Sequence, residues 1–110
     1  MYSFSNSMLR NRFIDCSEIS KLINSKAQLI DIRNELEYKK EHIEGFINIP
    51  AMFIQYNLMK INIGSPVYLI CGIGKQSVQV SQYLEQLGYD VYSFIGGMYN
   101  YKFVANSSYY

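Results

Sequence analysis

Residues 67–77, Val-Tyr-Leu-Ile-Cys-Gly-Ile-Gly-Lys-Gln-Ser, decide the fold of this chain. The four residues before Cys71 form an apolar run, and a loop with two glycines follows the cysteine at once. Beyond the loop, apolar residues recur at the i, i+3, i+4, i+7 spacing of one helix face, at Val80, Tyr83, Leu84 and Leu87. The stretch therefore predicts a buried strand, a tight turn and a helix, with Cys71 where the strand ends.

This arrangement gives Cys71 a chemical environment that favours negative charge. The backbone N–H groups of such a loop and the positive end of the following helix point at one place, where they stabilise an anion. A thiolate is an anion, so we expect Cys71 to be a reactive nucleophile, with Gly72 and Gly74 letting the N–H groups turn inward. The alternative is a buried apolar cysteine with no chemistry, which is common in protein cores. We favour the nucleophile because of the loop and the helix behind it.

Length and composition predict a single globular domain. The 110 residues contain 49% hydrophobic and 17% charged residues, and we expect a core over about residues 12–105 with frayed ends at 1–10 and 106–110. A formal net charge of +1 argues against binding to nucleic acid. No apolar run reaches the roughly 18 residues of a membrane span, and the N-terminus has no secretory pattern. We expect a cytoplasmic protein that binds no membrane.

The cysteines and the histidine do not form a metal or disulfide pattern. Cys16 and Cys71 are the two cysteines, His42 is the one histidine, and there is no C-x-x-C pair. We therefore expect no metal and no organic cofactor. Cys16 would act as a resolving thiol only if it approached Cys71, which we do not expect. His42 is interpreted as a structural residue.

Strand and helix patterns alternate along the chain. Strands are predicted at 12–15, 28–32, 46–49, 67–70 and 90–95, and helices after Ser17, after Asn34, over 51–60, after the Cys71 loop and, as a short helix, after Gly96-Gly97. Such alternation predicts an α/β fold with a mostly parallel sheet covered by helices on both faces. Ligands of these sheets bind beyond the carboxyl ends of the strands, where Cys71 is expected.

Taken together, these residues resemble the rhodanese-like sulfurtransferase domain over roughly residues 13–101. The resemblance rests on Leu29-Ile-Asp-Ile-Arg33, Glu37-Tyr38, His42-Ile-Glu-Gly45 with Asn48-Ile-Pro50, the loop from Cys71 to Ser77, Leu84 to Gly88, and Gly96-Gly97. It implies a five-stranded, mostly parallel sheet and a catalytic Cys71 that carries a persulfide. It also implies that the loop binds the substrate, through Gly72, Ile73, Gly74, Lys75, Gln76 and Ser77.

The chain departs from the family pattern at two positions. Gln76 stands where the family usually has arginine, and Tyr101 stands where it has tryptophan. An amide lacks the charge and the planar bidentate donors of a guanidinium, so thiosulfate, a dianion, is less favoured as the sulfur donor. Lys75 could supply the charge or could be a solvated lysine. Phosphatases of similar fold use a loop one residue longer that ends in arginine, so phosphoryl chemistry is disfavoured.

Three further residues have two interpretations each. Ser77 could bond the persulfide or cap the helix, and we favour capping. Asp31 and Arg33 end a strand at the same edge as Cys71, so they could border the pocket, although a structural ion pair is the interpretation we favour.

The functional hypothesis is a sulfurtransferase that moves sulfane sulfur from thiosulfate, a persulfide or a polysulfide to a thiol or cyanide through a Cys71 persulfide. Its partners would be a small sulfur donor, a thiol acceptor and, in one variant, a sulfur-relay protein. A catalytically weak binding module and a thiol-dependent reductase of polysulfides or disulfides are the alternatives.

Overall fold

The protein is built around a five-stranded sheet in which every described strand pair is parallel. A computed structural model of the chain describes residues 12–107. The strands are β1 (Phe13–Ile14), β2 (Gln28–Asp31), β3 (Ile47–Asn48), β4 (Val67–Ile70) and β5 (Val91–Phe94), in the order β1-β5-β4-β2-β3. The helices are α1 (Ile19–Asn24), α2 (Glu35–Lys40), α3 (Gln76–Gln86) and α4 (Gly97–Ser107).

Helices and turns cover both faces of the sheet, which confirms the predicted architecture. Leu69 of β4 and Cys71, which follows the strand, belong to one core cluster. This cluster includes residues of α3 and of the 51–60 segment, such as Leu84 and Ile54. Ile70 points to the other face, where the core contains residues of α1 and α4. This alternation follows from the two-residue period of a strand. β4 is the central strand, which explains its almost uninterrupted apolar sequence.

The central position of β4 fixes the edge at which Cys71 lies. Asp31 at the end of β2 is in register with Ile70 at the end of β4, and the N–H of Ile32 donates to the carbonyl of Ile70 at 2.9 Å. β2 and β4 therefore end at the same edge of the sheet, and Cys71 directly follows β4 at that edge.

The 51–60 segment differs from its prediction. It forms two short 3₁₀ helices, Ala51–Tyr56 and Leu58–Lys60, instead of one amphipathic α-helix. Met52, Phe53, Tyr56 and Met59 have the spacing of one apolar helix face, which predicts that they are buried. Instead Met52 is 74% exposed and Met59 is fully exposed, while Ile54 provides the buried contact. These apolar residues are therefore not the side of the segment that packs on the sheet.

Several helix ends also differ from their predictions. Asp15, and not Ser17, caps the first helical turn, because its carboxylate accepts the N–H of Ser17 at 2.8 Å. Leu87 is 44% exposed and does not complete the buried face of α3. The last helix is longer than expected, since α4 continues through Ser107 into the segment predicted as a frayed end. The predicted frayed segments 1–10 and 108–110 lie outside the described residues.

Candidate active site

The sulfur of Cys71 accepts hydrogen bonds from two backbone amides, one in the loop that follows it and one in the first turn of α3. The N–H of Gly74 lies 3.1 Å from Sγ and the N–H of Ser77 lies 3.3 Å from it. Cys71 is only 1% exposed and its side chain belongs to the core cluster on the α3 face. The apolar surrounding keeps water from the sulfur and by itself disfavours a charge there, so the two amide dipoles aimed at the sulfur are the feature of the site that favours an anionic sulfur.

Gly74 gives the loop its shape. Its φ of +92° lies in the region that side chains resist, and a Cβ built there would come within 2.9 Å of the backbone nitrogen of Gly96. The turn at Gly74 directs its N–H back toward Cys71. By contrast, a Cβ at Gly72 would meet no atom within 4 Å.

The start of α4 holds the other side of the loop. The N–H of Met98 donates to the carbonyl of Cys71 at 2.8 Å, and the N–H of Tyr99 donates to the carbonyl of Gly72 at 3.0 Å. A Cβ at Gly97 would lie 2.3 Å from the Cys71 carbonyl oxygen, so this close approach requires glycine. The sequence predicted only that Gly96-Gly97 introduces a helix; its contact with the cysteine loop depends on the tertiary fold.

The predicted capping role of Ser77 is wrong. α3 begins at Gln76, Lys75 occupies the N-cap position, and no side chain caps the helix. Ser77 lies inside the first turn, fully buried, and its hydroxyl donates to the Gly74 carbonyl at 3.4 Å. The hydroxyl of Ser93 on β5 in turn donates to the Ser77 carbonyl at 3.2 Å. The sequence does not reveal this role of Ser93, because one serine in a strand of this composition carries no signal that it supports a loop.

Three side chains of the loop face solvent: Ile73, Lys75 and Gln76 are exposed. Gln76 lines two adjoining depressions, which also share Ala51 and Met52. They have volumes of about 410 Å³ and about 160 Å³. The position that lacks the expected arginine is therefore the place where the cysteine loop meets open surface.

The sequence of this chain matches the profile of the rhodanese-like domain over residues 15–103. The chain belongs to the rhodanese-like domain family. Its described fold, with the cysteine loop between β4 and α3, is the fold of solved members. The crystal structure of a rhodanese-like domain protein from Staphylococcus aureus superposes with a TM-score of 0.76 at 28% identity, covering 82% of this chain and 90% of that one.

Two curated relatives of this rhodanese-like domain come from bacteria. YqhL of Bacillus subtilis, an uncharacterized protein, is 37% identical over 73 residues, which are 66% of this chain and 58% of YqhL. The thiosulfate sulfurtransferase PspE of Escherichia coli is 31% identical over 71 residues, which are 63% of this chain and 68% of PspE. The matched region thus spans little more than half of YqhL.

Asp31 and Arg33 of the rhodanese-like domain form a buried ion pair. Nε of Arg33 lies 3.1 Å from Oδ1 and Nη2 lies 2.9 Å from Oδ2, while Nη2 also donates to the Glu41 carbonyl at 2.8 Å. Hydrogen bonding to Asp31 raises the pKa of Arg33, and burial opposes this. Neither residue lines the depressions at Gln76, where Ile32 and Asn34 appear instead. Their assignment to the pocket edge stays a prediction, and their contacts are those of a structural pair.

Among the described residues, His42 and Cys16 of the rhodanese-like domain form their hydrogen bonds with backbone carbonyls and not with the Cys71 sulfur. The ring of His42 stacks on Tyr38 with centroids 3.8 Å apart, and its Nδ1 lies 2.8 Å from the Tyr38 carbonyl. Cys16 is a buried free thiol whose sulfur lies 3.6 Å from the Ile95 carbonyl oxygen, and burial raises its pKa.

Within residues 12–107, no group of three or more His, Cys, Asp or Glu side chains is placed to hold a metal ion. None of the helices in that range has the length and apolar character needed to cross a bilayer.

Proposed function

We propose that this chain is a sulfurtransferase that carries sulfane sulfur as a persulfide on Cys71. The observation that carries the proposal is the pair of amides, from Gly74 and Ser77, that lie against the Cys71 sulfur. A nucleophilic thiolate and the terminal sulfur of a persulfide are both anionic, so the same amides serve both states of a transfer cycle. The function of PspE, a sulfurtransferase relative, supports the reaction class.

The proposed cycle has two displacement steps. The Cys71 thiolate attacks the outer sulfur of the donor, an S–S bond to Cys71 forms, and the donor's own bond to that sulfur breaks. The bonding pair leaves with the rest of the donor, as sulfite from thiosulfate or as a thiolate from a persulfide. An acceptor thiolate or cyanide then attacks the terminal sulfur and releases the Cys71 thiolate. Sulfane sulfur changes carrier, and no outside oxidant or reductant is needed.

The test combines mass spectrometry with an acceptor assay on the full chain. Incubation with a sulfur donor should add about 32 Da to the peptide that contains Cys71, and cyanide should remove it as thiocyanate. Cys71→Ser should abolish both signals. Cys16→Ser is the matched control and should retain both, since Cys16 packs in the other core cluster. Full thiocyanate formation by the Cys71→Ser variant would refute the proposal.

A second candidate function is a binding or regulatory module with weak catalysis. Gln76 favours it, because an exposed amide replaces the charged donor expected at the mouth of the loop. This candidate predicts that no donor loads Cys71 during the incubation. A reductase of polysulfides would instead load Cys71 but yield no thiocyanate.

The partners and the compartment follow from the same chemistry. We propose a small sulfur donor and a thiol acceptor as substrates, with a sulfur-relay protein as one form of the acceptor. We place the reaction in the cytoplasm, because Cys16 and Cys71 are both free thiols and free thiols persist in reducing compartments.

A further inference from the structure

The larger depression beside the cysteine loop has an unusual lining. Three glutamines, Gln55, Gln76 and Gln79, contribute to its wall together with Met52 and Tyr83. We call this depression of about 410 Å³ the glutamine groove. None of the described residues that line it is an Asp, Glu, Lys, Arg or His. The groove therefore offers amide donors and acceptors and apolar contacts, but no charge.

The three amides are available to a ligand. Gln55, Gln76 and Gln79 are exposed, and the described part of the chain provides no hydrogen-bond partner for any of their side chains. An amide can both donate and accept, so a row of them is complementary to the amides of a ligand. Met52 and Tyr83 add surfaces suited to carbon and sulfur atoms.

The groove reaches the residue next to the amide that contacts the reactive sulfur, while Cys71 itself, which is 1% exposed, lines neither depression. Gln76 directly precedes Ser77, whose N–H touches Sγ of Cys71 at 3.3 Å. A donor whose outer sulfur reaches Cys71 would thus have its remaining atoms next to Gln76. Thiosulfate is too small to use the groove, whereas the organic part of a persulfide would fill it.

The charges around the groove disfavour an anionic ligand. The smaller depression, which adjoins it at Gln76, contains Glu37. The nearby guanidinium of Arg33 is already paired with Asp31. Lys75 precedes Gln76 but lines neither depression. A carboxylate placed in the groove would therefore lose water without gaining a cation.

We propose that the glutamine groove binds the organic part of a small persulfide donor, and that it selects an uncharged, amide-bearing part over an anionic one. The proposal rests on the proposed sulfurtransferase function and names its donor class. The Cys71 thiolate attacks the outer sulfur of R–S–SH, the Cys71–sulfur bond forms, and the R–S to sulfur bond breaks. R–S⁻ takes the bonding pair and leaves, and the transferred sulfur releases its proton to water, which leaves an anionic terminal sulfur on Cys71.

The experiment compares two donors that differ in one charge. The persulfides of N-acetylcysteine amide and of N-acetylcysteine share the reacting sulfurs and an amide, and only the second has a carboxylate. Loading of Cys71 is followed by mass spectrometry in the full chain, and the second-order rate constants are compared. We expect the uncharged donor to load about threefold faster or more, the range of a single exposed charge interaction.

A charge placed in the groove should change this preference. Gln79→Lys should speed loading by the carboxylate donor about threefold, whereas the amide donor, which loses one groove amide, should not load faster. Gln86→Lys is the matched control, because Gln86 is an exposed residue of the same helix that does not line the groove. It adds the same net charge and should leave the preference as it is in the wild type.

The outcomes separate the two proposals. Equal loading by both donors in the wild-type chain, or the same response to Gln79→Lys and Gln86→Lys, would overturn the groove assignment and leave the sulfurtransferase function standing. Failure of every donor to load Cys71 would refute the sulfurtransferase function and, with it, the donor class. The S-methyl thioether of N-acetylcysteine amide gives a second measurement, since it should slow loading competitively in the wild-type chain without transferring sulfur.

Discussion

The N–H of Gly74 donates to the sulfur of Cys71 at 3.1 Å, and this contact depends on a backbone conformation that alanine resists. We therefore predict that Gly74→Ala lowers the free energy of unfolding by about 1–3 kcal/mol, the usual cost of such local strain. It should also slow sulfur loading of Cys71 at least tenfold or so, because the amide no longer points at the sulfur. Chemical denaturation and the mass-spectrometric loading assay measure the two effects.

Gly72→Ala is the control for this stability effect. Gly72 has an ordinary φ, and an added Cβ there would meet nothing within 4 Å. Its free energy of unfolding should stay near that of the wild type. If Gly74→Ala changed neither stability nor loading, the two amides of Gly74 and Ser77 would not be what makes the Cys71 sulfur reactive.

The sequence was informative about the cysteine loop because its signals are local. The apolar run, the glycines and the helical spacing lie within one continuous stretch, and the structure has β4, the loop and α3 in that order. The family pattern supplied the number of strands. What it could not supply were contacts made across the fold, such as that of Gly97 with Cys71 and that of Ser93 with Ser77.

Segment 51–60 shows that apolar residues can have helical spacing without forming a buried helix face. Met52, Phe53, Tyr56 and Met59 have helical spacing, yet all four are largely exposed in two 3₁₀ helices. The spacing of apolar residues predicts a buried face only where the segment forms an α-helix that packs on the sheet with that face. Here the buried residue is Ile54, followed by Ile61 just after the segment, and the exposed Met52 instead helps to line the glutamine groove.

If the proposed function is correct, Gln76→Arg should raise the turnover of thiosulfate. The new guanidinium would lie where the loop meets the groove and would offer two parallel N–H donors to the dianion. We expect kcat/KM for thiosulfate to rise about tenfold, measured as thiocyanate formed with cyanide. Gln86→Arg adds the same charge to α3 outside the groove and should leave kcat/KM unchanged. No difference between the two variants would mean that the backbone of the loop already binds thiosulfate without help from residue 76.

Asp31→Asn should destabilise the fold strongly. Asp31 is fully buried, and its loss as an anion would leave the Arg33 guanidinium, which is 7% exposed, without its counter-charge. Removing one partner of a buried pair costs about 3–5 kcal/mol, which urea denaturation would show as a shift of the midpoint. Lys39→Gln breaks the exposed pair with Glu35 and should leave the midpoint where it is. A small effect of Asp31→Asn would show that water reaches Arg33.

Glu85→Gln should stabilise the protein at neutral pH. Oε1 of Glu85 is buried and has no hydrogen-bond partner among the described residues, and burial raises the pKa of this carboxyl above its ordinary value of 4.5. Arg12 opposes this rise, and Asp90 adds to it. With a raised pKa in the folded state, the stabilising protonated form is present below the unfolded-state pKa and is lost as pH increases through the folded-state pKa. At neutral pH the folded wild-type chain thus keeps a poorly solvated charge, which glutamine removes.

The sign of this effect makes it testable against pH. The gain from Glu85→Gln should be modest, because the side chain is only partly buried. It should shrink as the pH falls through the raised folded-state pKa of the wild-type carboxyl, and it should be gone below the ordinary, unfolded-state pKa of 4.5, where that carboxyl is protonated in both states. Urea denaturation of both chains at neutral and acidic pH measures it. Glu44→Gln, at an exposed position, removes the same charge and should show no such pH-dependent gain. If Glu85→Gln proved less stable than the wild type at neutral pH, attraction between Glu85 and Arg12 would outweigh the cost of burying the carboxylate.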